Sequence, residues 1–116
     1  MKRYSVLVLI LALTVLMFSY CKTSKKAQAA EPPKVAYKDG LHTVIMANCS
    51  PCHIPEKGGN KKAYDNYTNT KADIDEILRR IQLNPGEKGF MPFRKDKLND
   101  STIAVFKQWK DQGMLE

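Results

Sequence analysis

Three cysteines, two histidines and one tryptophan are all this chain has of those residues, and no second Cys-x-x-Cys pair accompanies the one at Cys49 and Cys52. A zinc site closed by four Cys and His ligands therefore lacks half its donors, since His42 is the sole histidine outside the Cys-x-x-Cys-His run. No strand–helix pattern precedes Cys49, so the βαβ setting of a thioredoxin-like dithiol is missing. Period-2 alternation is unconvincing throughout, which argues against a sheet, and no internal repeat recurs. A basic stripe with interleaved aromatics is also lacking, so nucleic acid is not an expected partner.

What the chain does have is Cys49-Ser50-Pro51-Cys52-His53, the C-x-x-C-H pattern of c-type haem attachment. Thiols at that spacing can add across the two vinyl groups of one porphyrin. The adjacent imidazole is then carried beneath the ring, where it can ligate the iron. A structural disulfide closing a very small loop is the blander alternative for the pair.

Upstream, Lys2-Arg3 precedes seventeen uncharged residues, Tyr4–Tyr20, rich in Val, Leu and Ile. This reads as a secretory signal over residues 1–20. The apolar run meets Cys21 directly, as in a bacterial lipoprotein leader, and predicts lipidation there, although Tyr20 stands where a small residue is usual. Two alternatives are an uncleaved anchor at the lower limit of bilayer-spanning length and cleavage after Ala27-Gln28-Ala29. All three place the rest of the chain outside the cytoplasm, in a bacterial envelope and facing the periplasm. Lipidation of Cys21 and thioethers at Cys49 and Cys52 would use every thiol.

Residues 21–37 predict a lipidated cysteine and a flexible tether: Lys-, Ala- and Pro-rich, without amphipathic period, and extended at Pro32-Pro33. At ~3.3–3.6 Å per residue such a tether reaches roughly 50 Å. The net charge of +7 resides mainly in the leader and tether. From Lys38 to Glu116 there are 13 basic and 11 acidic residues. A basic run beside a lipid anchor suits an anionic membrane surface.

The domain is expected over 38–116 as an all-α fold of three to four helices. Asp39 is the expected N-cap of a helix over about 40–48 bearing Leu41, Val44 and Ile45. Residues 54–69 read as loop, with Tyr64 and Tyr67 either covering a haem edge or packing. Thr70-Lys71-Ala72-Asp73 has capping-box character and opens a helix with Ile74, Ile77, Leu78 and Ile81 at i, i+3, i+4 and i+7. Asn84-Pro85-Gly86 ends it. Asp100 is the expected cap of a last helix to about Gln112, carrying Ile103, Phe106 and Trp109, with Gly113 at its end. About 79 residues in short helices offer little apolar mass for a core, and a buried porphyrin would make up that deficit.

Met91 lies 38 residues beyond His53, enough chain to wrap a porphyrin and approach iron from the distal side. Pro92 disfavours helical backbone at Met91. Met46 is too close to the motif to cross over, and Met114 trails the last helix.

Cys49–His53, then Met91-Pro92, then a C-terminal helix with Phe106 and Trp109, together resemble a small class I (monohaem) cytochrome c over about residues 38–116. The leader adds a similarity to lipoprotein cytochromes. The resemblance implies one covalent haem c held at Cys49 and Cys52, with His53 proximal and Met91 distal on iron. It implies a monomeric, membrane-anchored carrier that is not an enzyme and shuttles single electrons between redox partners in a respiratory chain. Lys57, Lys61, Lys62, Lys88 and Lys95 could steer an acidic partner. The chain departs from the family in having Leu41 and Ile45 where a small residue and an aromatic are common. The proline segment whose carbonyl orients the histidine in that family is not matched cleanly, since Pro55 follows His53 by only two residues. The alternative is a haem enzyme or sensor, peroxidase-like or gas-binding, with an open or displaceable distal position. Ligation by His42 is a further option.

Overall fold

Asn66 and Asn99 start two of the four α-helices in residues 32–116, the part of the chain that the computed structural model describes. The helices are α1 (His42–Asn48), α2 (Tyr67–Ala72), α3 (Ile74–Gln82) and α4 (Asp100–Asp111). A π-helical turn, Tyr37–Leu41, leads into α1, and a 3-10 turn, Pro55–Lys57, follows the Cys-x-x-Cys-His run. Among the described residues there is no strand, only an isolated parallel bridge between Ala36 and Leu115. The class is all-α, as expected. The leader, Cys21 and most of the tether lie outside the described residues.

The first helical segment starts differently from expectation. Asp39 does not cap it but sits inside the π turn, where Ala36 holds the N-cap position without a side-chain bond. Leu41 N–H donates to Ala36 O, 3.2 Å, five residues back. Tyr37 N–H is taken by Leu115 O at 2.9 Å, so a tertiary contact satisfies a donor that a capping side chain would otherwise meet.

The loop expected over 54–69 is shorter. Asn66 Oδ1 accepts from Asn69 N–H at 2.9 Å, so α2 begins at Tyr67 and Thr70 lies within it, fully buried. Thr70 is not a cap: its hydroxyl donates to Tyr64 O, 2.9 Å. Asp73 follows with φ −111° and ψ 10°, a break that turns α2 into α3. In α4 the cap is one residue earlier than expected: Asn99 Oδ1 accepts from Thr102 N–H at 2.8 Å. Asp100 becomes the first helical residue, where its charge suits the helix dipole.

The amphipathic reading of α3 holds, with Ile74, Ile77, Leu78 and Ile81 all buried. They meet Ile103, Phe106 and Trp109 of α4, together with Leu41, Ile45 and Ile54, in one core. Each such side chain contributes about 1.5–3 kcal/mol on full burial. Leu41 and Ile45 are inaccessible to solvent, as are Phe106 and Trp109, and the π turn carrying Leu41 packs on α4. No buried side-chain N or O among the described residues lacks a partner.

Beyond α4, Met114 N–H donates to Trp109 O (2.9 Å) and Gly113 N–H to Lys110 O (3.0 Å), with Gly113 at φ +86°. This is a Schellman cap. It delivers Leu115 O to Trp109 Nε1–H at 2.6 Å. Val35 N–H donates to Gln112 Oε1, 2.7 Å, and Gln112 Nε2 donates to Pro33 O, 3.2 Å. The packed unit accordingly runs Pro33–Glu116, starting ahead of the expected boundary at Lys38.

On the outer face of α3, Glu76 accepts from Arg79 Nε at 2.7 Å and from Arg80 Nε at 2.6 Å. These guanidiniums hold its carboxyl at about 2, against an ordinary value of 4.5. The folded value is the lower one, so the contribution is complete above about 4.5 and disappears as pH falls toward about 2. Denaturation curves taken down through that window should lose a small, salt-sensitive increment of stability that Glu76→Gln has already lost.

Candidate cofactor attachment site

The Cys-x-x-Cys-His run hangs from the C-terminal end of α1. Cys49 N–H donates to Ile45 O, 2.8 Å, as the helix cap; His53 N–H then donates to Cys49 O and Ile54 N–H to Pro51 O, both at 3.0 Å. The five residues thus form a closed, hydrogen-bonded loop. Residues 59–64 run back along it, Lys61 N–H donating to Cys52 O and Tyr64 N–H to His53 O, both at 3.0 Å. Gly59 makes that approach possible. A Cβ there would fall against Pro51 O, 2.6 Å from Cys52 O and 2.8 Å from Ile54 O.

This returning segment sets the state of His53. Its Nδ1 lies 2.7 Å from Lys62 O. A carbonyl oxygen only accepts, so Nδ1 carries a proton, and in the neutral ring Nε2 is the nitrogen with the available lone pair. An imidazole whose rear nitrogen is held by a carbonyl has its tautomer fixed and its basicity raised, the usual condition of a metal-ligating histidine. Tyr64 stacks on the same ring, centroids 4.5 Å apart and planes 13° from parallel.

The thiols differ. Cys52 is exposed and Cys49 half-buried, and both are free. Burial pushes the Cys49 thiol up to about 11, with Lys95 partly opposing. A thiol protonated at neutral pH is unlike the low-pKa nucleophile of a dithiol oxidoreductase. Among the described residues no three His, Cys, Asp or Glu side chains are grouped to hold a bare metal ion, so half a zinc site finds no second half.

Met91 lies in the segment between α3 and α4, half-buried and packed on the same core as Cys49. Its N–H donates to Arg80 O at 3.3 Å, anchoring the segment to α3. Four residues on, Lys95 Nζ donates to Ser50 O, 3.2 Å, and joins this segment to the motif loop. Met46 and Met114 also pack on the core, but Met46 is in α1 and Met114 sits in the α4 cap. His42 opens α1 with its ring 5.6 Å from that of Tyr37. Tyr67 packs edge-on to Trp109, centroids 6.1 Å apart, and donates to Met114 O at 3.0 Å. A groove of about 270 Å³ lined by Gln82, Lys97, Asp100, Ile103, Ala104 and Lys107 includes no residue of the motif.

No protein-family model, curated protein or solved structure matches this chain.

The donor set fits a covalently held haem: two uncommitted thiols at the required spacing, and an imidazole with Nε2 free. Neither the Lys62 carbonyl nor the Tyr64 stack was expected from the residues. A backbone carbonyl leaves no trace in a sequence pattern, and residues 54–69 read only as loop. Gly59→Ala should destabilise the folded protein by about 1–3 kcal/mol, measured by denaturant unfolding. Three backbone oxygens, with no flexible side-chain end among them, would have to move.

Proposed function

We propose that this chain is a single-electron carrier with one covalently attached haem c, of the class I cytochrome c type. The observation that supports this best is the commitment of His53 Nδ1 to Lys62 O inside a Cys-x-x-Cys-His loop, which leaves Nε2 as a ligand. Cys49 and Cys52 would hold the porphyrin by thioethers, with His53 as one axial ligand of iron and Met91 as the other. When bound, haem supplies the reversible exchange of one electron between ferric and ferrous iron.

The protein's part is to set the ease of that exchange. Met91 offers a neutral, soft thioether, which favours Fe(II) relative to a second imidazole. Lys62 O pulls the other way by making His53 a stronger donor. The hydrogen bonds among Cys49, Cys52, His53, Lys61 and Tyr64 hold the loop in one shape, and Lys95 ties it to the Met91 segment. Little rearrangement then accompanies each electron. If His53 and Met91 both held the iron, no position on it would be left for a substrate, which favours transfer over catalysis.

The leader read from residues 1–20 supports a place on the periplasmic side of a bacterial envelope, where the carrier would be tethered through lipidated Cys21 and would exchange electrons, as a monomer, with respiratory redox proteins. No helix among the described residues is long and apolar enough to cross a membrane.

Protein made in a host with haem-attachment machinery should be coloured, and the pigment should remain through acidified organic solvent. Cys49→Ala with Cys52→Ala should release it. Met91→Ala should keep the covalent pigment but lose the weak far-red band of thioether-ligated Fe(III). A colourless wild type would refute the proposal, and high-spin iron in the resting wild type would point to the enzyme or sensor alternative.

A further inference from the structure

His53 is bordered by a circuit of contacts that the attachment chemistry does not require. Lys62 accepts from His53 Nδ1–H through its carbonyl, 2.7 Å, and through its ammonium pairs with Asp73 Oδ1, also 2.7 Å. The other carboxylate oxygen, Asp73 Oδ2, accepts from Tyr64 Oη at 3.0 Å. The Tyr64 ring then closes the circuit by stacking on His53 at 4.5 Å. Three residues, two of them charged, thus meet around one imidazole.

The circuit is anchored at Tyr64. Its N–H donates to His53 O at 3.0 Å. Its carbonyl accepts from both Tyr37 Oη, 2.8 Å, and Thr70 Oγ1, 2.9 Å. The phenol is therefore presented by backbone held on two sides. Asp73 occupies the break between α2 and α3 and caps neither helix with its side chain. Its carboxylate is directed entirely to Lys62 and Tyr64. An exposed ion pair such as Lys62–Asp73 adds little stability by itself, so its use lies in what it holds.

We infer that Tyr64 and Asp73 are positioning residues that fix the plane of His53 and tune its donor strength toward the haem iron of the proposed carrier. This rests on the haem reading of the site. The torsion about Cβ–Cγ of histidine is broad and roughly two-fold, so one hydrogen bond in the ring plane leaves freedom out of plane. A parallel ring over the face removes it. The charge-assisted bond from Tyr64 to Asp73 also makes the phenol face more electron-rich. That face stabilises the more positive imidazole of the ferric state, so the circuit lowers the reduction potential.

The test uses the full-length holoprotein, with redox titration and low-temperature electron paramagnetic resonance of the ferric form. Tyr64→Leu should lower the oxidised-to-reduced ratio at fixed potential about threefold, an upward shift of about 30 mV for one electron. It should also broaden the low-spin ferric signal as the imidazole plane spreads. Tyr64→Phe and Asp73→Asn keep the stacked ring, so they should shift the ratio in the same direction by less and leave the signal sharp. Unchanged ratio and line shape in Tyr64→Leu would overturn the inference. If Tyr64→Leu retains no haem, wild-type ratios in both Tyr64→Phe and Asp73→Asn would overturn it, and a shift in both would support it. Absence of covalent pigment in the wild type is a separate result, which removes the haem reading and the positioning role with it.

Discussion

A single hydrogen bond, from His53 Nδ1–H to Lys62 O, is the constraint on which the site depends. It sets which imidazole nitrogen carries the donated proton, and the proposed ligand role of His53 turns on that choice. Several features of the surrounding chain serve it. Gly59 lets the returning segment run within contact of the Pro51, Cys52 and Ile54 carbonyls, and Lys61 and Tyr64 bond to the loop on either side of Lys62. Thr70 and Tyr37 hold Tyr64 O. The acceptor is consequently fixed by backbone on both flanks and by buried side chains behind.

The helices provide the frame for this loop. α1 ends at Cys49, and α2 with α3 places Asp73 beside Tyr64 and Lys62. α4 closes the core through Phe106 and Trp109, while its Schellman cap turns the C-terminal residues back onto Trp109 and Tyr37. The core is small and draws on nearly every element, and the segment carrying Met91 is held to it by packing and also by a backbone bond to Arg80 and the Lys95–Ser50 contact. Met91 and Cys49 both pack on the apolar core.

The three helix starts that differ from expectation share one cause. Asp39, Thr70 and Asp100 all have side chains suited to capping, but a cap is chosen by which orphan N–H groups lack another partner. Leu115 O takes the Tyr37 N–H, Asn66 captures α2 before Thr70 is reached, and Asn99 stands one residue ahead of Asp100. Thr70 instead serves Tyr64 O, and Asp73 serves Lys62 and Tyr64. Residues spared from capping became the support of His53.

Periodicity alone determined α3 and α4 and their buried faces, because amphipathic spacing is local and 3.6 residues per turn leaves little freedom in assigning the apolar side. The motif alone determined that two thiols and an imidazole sit together, since five consecutive residues cannot be far apart. Only the tertiary structure decided which nitrogen of His53 is free, what stacks on it, and that the Met91 segment is joined to the motif loop. Those outcomes rest on a backbone carbonyl, a ring face and a lysine reaching across 45 residues, and contacts of that kind exist only after the chain has folded.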